Sequence, residues 1–160
     1  MSNSSSKDVH VPLRIRIDAT RQLLDVFRDG KLCKSYPIST SKFGLGFEPG
    51  SNKTPLGRFV VGEKIGAGAV AGAVFRSRKP TGEIAFQGGE EDLVLTRILW
   101  LAGLEETNAN TRERYIYIHG TNQEALLGTP ASHGCVRMSN TDIREFFDEI
   151  PEGTPVEIVA

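Results

Sequence analysis

The chain is poor in residues that would announce a specialised architecture. Only two of its 160 residues are cysteine, too few for a disulfide-stapled scaffold. No apolar run approaches the ~20 residues of a membrane-spanning helix; the longest mild candidate, Ile98-Leu99-Trp100-Leu101-Ala102, falls far short. Charge of one sign is missing too. A formal net charge of -1 gives no reason to expect nucleic acid or an anionic membrane as partner. The start, Met1 to Asp8, is polar with no apolar signal-peptide core behind it. The expected compartment is therefore the cytoplasm, or the periplasm or cell wall if an export signal has been removed. Hydrophobic content of 39% and charged content of 24% fit one soluble domain with a real core. The expected division is a disordered polar tail over 1–12, containing His10, and a single domain over 13–160.

Hydrophobic patterning reads as mostly β. Leu13 to Asp18 alternates apolar and polar, the mark of a half-buried strand. Gln22–Phe27 and Leu32–Ile38 flank Asp29-Gly30, a strong hairpin signal. Arg58–Val61, Tyr115–Ile118 and Pro155–Val159 read as further strands, the second delivering His119 at its end. Gly62 to Gly89 reads as a long loop or lid with short strands. Its Gly66, Gly68 and Gly72 lack the strand-turn-helix context of a nucleotide site. Asp92 to Leu104 has apolar spacing compatible with a short helix. A clearer helix follows Ser139, a good N-cap, with Asp142 three residues on and Ile143, Phe146, Phe147 and Ile150 in one stripe.

Chemistry concentrates between His119 and Cys135. A thiol attacks a carbonyl as its thiolate, which is scarce near neutral pH unless a base or an electropositive pocket assists. Cys135 sits in the turn Ser132-His133-Gly134-Cys135, and the partner expected to hold it ionised is His119, fixed by a strand end. The glycine after it, Gly120, lets a main-chain carbonyl approach the other ring nitrogen and set the tautomer. No carboxylate stands out for that orienting role. His133, only two residues from the thiol, is better placed to line the pocket than to act as base. Amides of His133, Gly134 and Cys135 are the expected oxyanion hole. Arg137 suits a substrate carboxylate; a surface arginine paired with Asp142 or Glu145 fits its spacing equally. Ser132 reads as a turn hydrogen-bonder that also borders the substrate. A zinc site from His119, His133 and Cys135 lacks a common ligand spacing, so neither metal nor cofactor is expected. Cys33 reads as structural, and Phe43 and Phe47 as residues buried beneath the glycine-rich loop or covering the cleft.

His119-Gly120-Thr121, the spacing to Ser132-His133-Gly134-Cys135 and the trailing Val136-Arg137-Met138 resemble the signature of the L,D-transpeptidase (YkuD-type) catalytic domain. Ser39-Thr40 and Thr54-Pro55-Leu56-Gly57 are similar to that family as well, so the likeness runs from about Leu13 to Val159. It implies a β-sandwich-like fold with one or two helices. It also implies Cys135 as nucleophile, His119 as general base and Gly120 as the carbonyl orienting the imidazole. The implied partners are peptidoglycan stem tetrapeptides, cleaved through a thioester before the terminal D-alanine; acylation by carbapenems is implied too. The polar start and the Gly62–Leu104 segment look more like a signal-less L,D-carboxypeptidase subgroup of cell-wall recycling, with water as acceptor. The alternatives are 3-3 cross-linking and a non-catalytic peptidoglycan-binding module.

Overall fold

The computed structural model describes residues 12–160; the tail expected over 1–12, Pro12 excepted, and His10 with it, lie outside the described residues. Ten strands form one sheet: β1 (Leu13–Asp18), β2 (Leu23–Arg28), β3 (Lys31–Pro37), β4 (Gly57–Ile65), β5 (Ala73–Arg76), β6 (Lys79–Ile84), β7 (Val94–Gly103), β8 (Tyr117–Gly120), β9 (Val136–Met138) and β10 (Pro155–Val159). Their order is β3-β2-β1-β10-β4-β7-β5-β6, and β8 adds to β7 and β9 to β8. Among the described residues there is one α-helix, α1 (Asn140–Glu149), lying on β7 and β8. Among the described residues the fold is mostly β with a single α-helix, as the composition and patterning anticipate.

Local chemistry explains the elements. Asp29 and Gly30 both take positive φ, 51° and 78°, the conformation that lets a two-residue turn follow the twist of β2 and β3. Ser139 caps α1 by accepting the Asp142 amide at 3.0 Å, and Ile143, Phe146 and Phe147 are buried beneath it. Each such side chain contributes roughly 1.5–3 kcal/mol by leaving water. One core gathers Ile15, Leu24, Tyr36, Phe59, Leu99, Ile118 and Phe146. Tyr36 of β3 meets Phe146 of α1 edge-on at 6.0 Å, so the sheet curls until its first hairpin reaches the helix on β7 and β8.

Two local expectations change. Asp92–Leu104 is not a helix: it is the exit of a loop followed by β7, whose Leu95 to Leu101 are all buried. A strand covered on both faces loses the alternation that identifies strands, and its apolar run imitates a helical stripe. Gly62–Gly89 does hold short strands among turns, the end of β4 and the β5–β6 hairpin. Finally, β8 begins at Tyr117. Tyr115 stands outside it with φ of 58°.

Candidate active site

β8 and β9 run parallel, with Ile118 opposite Val136 and His119 opposite Arg137. Alternate residues of a strand take opposite faces. Ile118, Val136 and Met138 therefore enter the main core, and His119 and Arg137 project from the other face. Cys135 directly precedes β9 and packs against that same face, beside a small cluster of Phe75, Ile98, Trp100 and Tyr117. The pairing of two short strands thus places thiol, imidazole and guanidinium on one side of the sheet.

The turn carrying the thiol is braced from several directions. Gly134 has φ of 126°, a conformation open to glycine and strained for other residues. Thr54 donates its hydroxyl to the Gly134 carbonyl at 2.9 Å and accepts the Ser41 amide at 3.0 Å. Ser39 exchanges two main-chain hydrogen bonds with Arg137, at 3.1 and 2.9 Å. The Ser39-Thr40 and Thr54-Pro55 motifs therefore act as braces behind the turn.

Ser132 needs a correction. It is fully buried, donates its hydroxyl to the Cys135 carbonyl at 2.6 Å and accepts the Gly134 amide at 3.2 Å. Its oxygen is occupied within the turn and borders no substrate. The Gly134 amide is likewise directed at Ser132 rather than outward as part of an oxyanion hole. The His133 and Cys135 amides enter no hydrogen bond among the described residues, which leaves those two as donors.

The sulfur also departs from expectation. Cys135 keeps a partly exposed edge. Its Sγ donates to the Tyr115 carbonyl and accepts the Tyr117 amide, both at 3.3 Å. Burial pushes the thiol up to about 12, with Asp92 adding to the rise; the Tyr117 amide, Arg137 and Arg114 oppose it without prevailing. That direction favours a neutral thiol at rest, where the sequence suggests a standing thiolate. Cys33 is exposed on β3, and both cysteines are free.

His119 is 1% exposed. Its Nδ1 lies 2.5 Å from the Gly120 carbonyl oxygen. A carbonyl only accepts, so Nδ1 carries the proton and the lone pair is on Nε2. Burial pushes this imidazole below its ordinary 6.5, against the charge of Asp92 and the Gly120 hydrogen bond. Gly120 has no room for a side chain: a Cβ would stand 2.7 Å from the Leu95 carbonyl oxygen.

A carboxylate that sequence reasoning did not find sits at the centre of the site. Asp92 Oδ2 is 2.7 Å from His133 Nδ1, and Oδ1 accepts from Arg137 Nε at 3.1 Å. Burial works to raise the Asp92 pKa, but His119, His133 and Arg137 outweigh it and hold the carboxyl below its usual range. Asp92 is fixed by Asn122, whose side chain donates to the Gly88 and Glu91 carbonyls and accepts the Leu93 amide. No signal separates Asp92 in sequence from Glu90 and Glu91 beside it.

Arg137 is 1% exposed, so it is no surface residue, and its partner is Asp92 rather than Asp142 or Glu145. Its Nη1 makes no hydrogen bond among the described residues. His133 is exposed, with Phe43 against its ring at 5.8 Å between centroids. Phe43 is itself exposed and Phe47 half-buried, so neither lies beneath the loop. His133 also lines a hollow of about 290 Å³ with Asn52, Glu113, Arg114, Tyr115 and Ile116. Among the described residues no His, Cys, Asp and Glu side chains gather as a metal would require.

Comparison with known proteins identifies the family. The family profile of YkuD, the L,D-transpeptidase catalytic domain, matches residues 12–158. A Bacillus licheniformis protein assigned to the L,D-transpeptidases as YkuD is 27% identical over 148 residues, 92% of this chain and 66% of the relative. An L,D-transpeptidase from Mycobacterium smegmatis shares the fold at TM-score 0.63 and 20% identity, over 93% of this chain and 59% of that one. A solved LD transpeptidase in complex with imipenem superposes at TM-score 0.58 and 22% identity, over 92% of this chain and 58% of the other. The chain thus spans slightly under two thirds of the length of the curated relative. With a family profile running through nearly all of its described residues, and with Cys135, His119 and Arg137 gathered on one face of β8 and β9, this chain belongs to the YkuD-type L,D-transpeptidase catalytic-domain family.

Proposed function

We propose that Cys135 carries the acyl group in an L,D-transpeptidase reaction on peptidoglycan stem tetrapeptides. The observation that carries this reading is the shared face of Cys135 and His119, with the imidazole's Nδ1–H committed to Gly120 and its Nε2 free. A neutral thiol on the same face as a neutral imidazole calls for general-base catalysis rather than a preformed ion pair. As the sulfur bonds to the carbonyl carbon of the third stem residue, its proton passes to His119 Nε2. The tetrahedral oxyanion is held by the His133 and Cys135 amides, each such donor worth roughly 3–4 kcal/mol. Collapse breaks the C–N bond, His119 returns the proton to the departing D-alanine amine, and a thioester remains.

An amine of a second stem peptide or a water molecule can then take the acyl group. The sequence leans to water, partly on the Gly62–Leu104 segment. That segment contributes β7 and the β5–β6 hairpin to the common sheet. The curated relatives carry the transpeptidase name, and we favour the amine. Incubation with disaccharide-tetrapeptide followed by mass analysis tests both points. An acyl adduct on Cys135, loss of one alanine and a cross-linked dimer are expected. Tripeptide alone would shift the assignment to L,D-carboxypeptidase, and no adduct on Cys135 would overturn the proposal. Imipenem should acylate the same sulfur.

A further inference from the structure

We propose that Asp92 and His133 form a second proton-handling pair, which takes the proton from the incoming amine as the acyl group leaves Cys135. This rests on the acyl-transfer reading and assigns one of its half-reactions.

The site holds two imidazoles in opposite environments, and such a contrast separates proton-transfer roles. His119 is 1% exposed and enclosed by the sheet, suited to a proton already inside the site. The His133 side chain is 43% exposed and faces the hollow it shares with Tyr115, the residue whose carbonyl holds the thiol. A carboxylate stands behind it. Asp92 fixes Nδ1 as the protonated nitrogen and turns Nε2 away from itself, as in hydrolytic triads where a carboxylate orients the base. The amine of a bulky acceptor reaches an exposed imidazole more readily than a buried one.

A plain surface ion pair is the competing reading, worth about 0–1 kcal/mol. The construction behind Asp92 argues against it. The carboxylate is clamped by a fully buried arginine and by the Asn122 clip. Burying a guanidinium is costly, and an ornamental surface pair gives no reason to bear that cost. The other charged groups around His133 are Glu113 and Arg114 across the hollow and Lys42, stacked on Phe43. Arg114 is tied to the Gly46 and Lys53 carbonyls.

In the step itself, the neutral amine nitrogen bonds to the thioester carbonyl carbon and its proton moves to His133 Nε2. The C–S bond then breaks, and the proton passes from His133 to the departing sulfur, directly or through one water. Amine plus thioester gives amide plus thiol, with no further reactant.

The test separates the two half-reactions in the whole chain, with disaccharide-tetrapeptide as donor and D-methionine as acceptor. His133→Gln keeps the Asp92–Arg137 pair intact. Its transfer to D-methionine should fall about 100-fold, by far more than its acylation, so that acyl-Cys135 accumulates at steady state in intact mass spectra. Asp92→Asn should show the same accumulation if it folds; His133→Gln decides the matter if it does not. Equal loss in both half-reactions without accumulation, or transfer at the unaltered rate, would overturn the pair. If the unaltered chain never forms acyl-Cys135, the acyl-transfer reading falls and this inference falls with it.

Discussion

In a Cys33→Ala background, Cys135 should alkylate slowly although it sits at a reactive centre. Raising a thiol from 9.0 to about 12 lowers its thiolate fraction at neutral pH by about a thousandfold. The more basic thiolate is intrinsically more nucleophilic, with a Brønsted slope of about 0.4–0.5, which recovers about 16- to 30-fold. The net expectation is alkylation about 30- to 60-fold slower than an ordinary exposed thiol at pH 7. Timed iodoacetamide reactions read by intact mass from pH 6 to 9.5 would measure it. Over that range the rate should climb about tenfold per pH unit without levelling off, because the whole window lies below the thiol's pKa. Rapid labelling that is already flat between pH 6 and 7 would refute the reasoning, since it would reveal a standing thiolate–imidazolium pair. The same protein should nevertheless be acylated by imipenem at neutral pH, where a carbonyl seated in the site lets proton transfer and attack coincide.

Other expectations follow from single contacts. His119→Ala should lower acylation by about 100- to 10,000-fold, measured as the rate of acyl-Cys135 formation. Gly120→Ala forces a Cβ against the Leu95 carbonyl and Ile143. A cost of about 1–3 kcal/mol is expected, seen as a melting temperature several degrees lower. Thr54→Val removes the donor to Gly134 and the acceptor for Ser41, leaving buried groups unpaired at about 1–3 kcal/mol; thermal melts beside activity would show whether turn and fold loosen together. His119 has a folded pKa below its unfolded 6.5, so the unfolded chain takes up the proton first and stability is lost as pH falls below about 6.5. The melting temperature should drop between pH 7 and 5, and less steeply in His119→Gln.

Legibility in the sequence followed the range of the physics. Strands with one wet face, such as Leu13–Asp18, and the Asp29-Gly30 turn declare themselves through nearest neighbours, and so does the cap and stripe of α1. β7 does not, because burial on both faces erases its period. Motif spacing singled out Cys135, His119 and Gly120, which one short parallel pair brings together. Asp92 was invisible for the opposite reason. It reaches the site through the Asn122 clip, a contact between segments about thirty residues apart, and nothing local marks it. The ionisation of the sulfur was not legible, because burial, which acts on it, is a property of the folded surroundings.

The position of β10 carries a consequence for how this molecule is born. That strand lies between β1 and β4, parallel to the first and antiparallel to the second, as the keystone between the amino-terminal hairpin and everything else. During synthesis the hairpin emerges early and must wait through more than a hundred residues for its neighbour to leave the ribosome. Until then β1 presents an open edge to solvent and to other nascent chains. Closure of the nucleophile's scaffold therefore waits on the last of these strands, and the growing chain has good reason to meet a chaperone first.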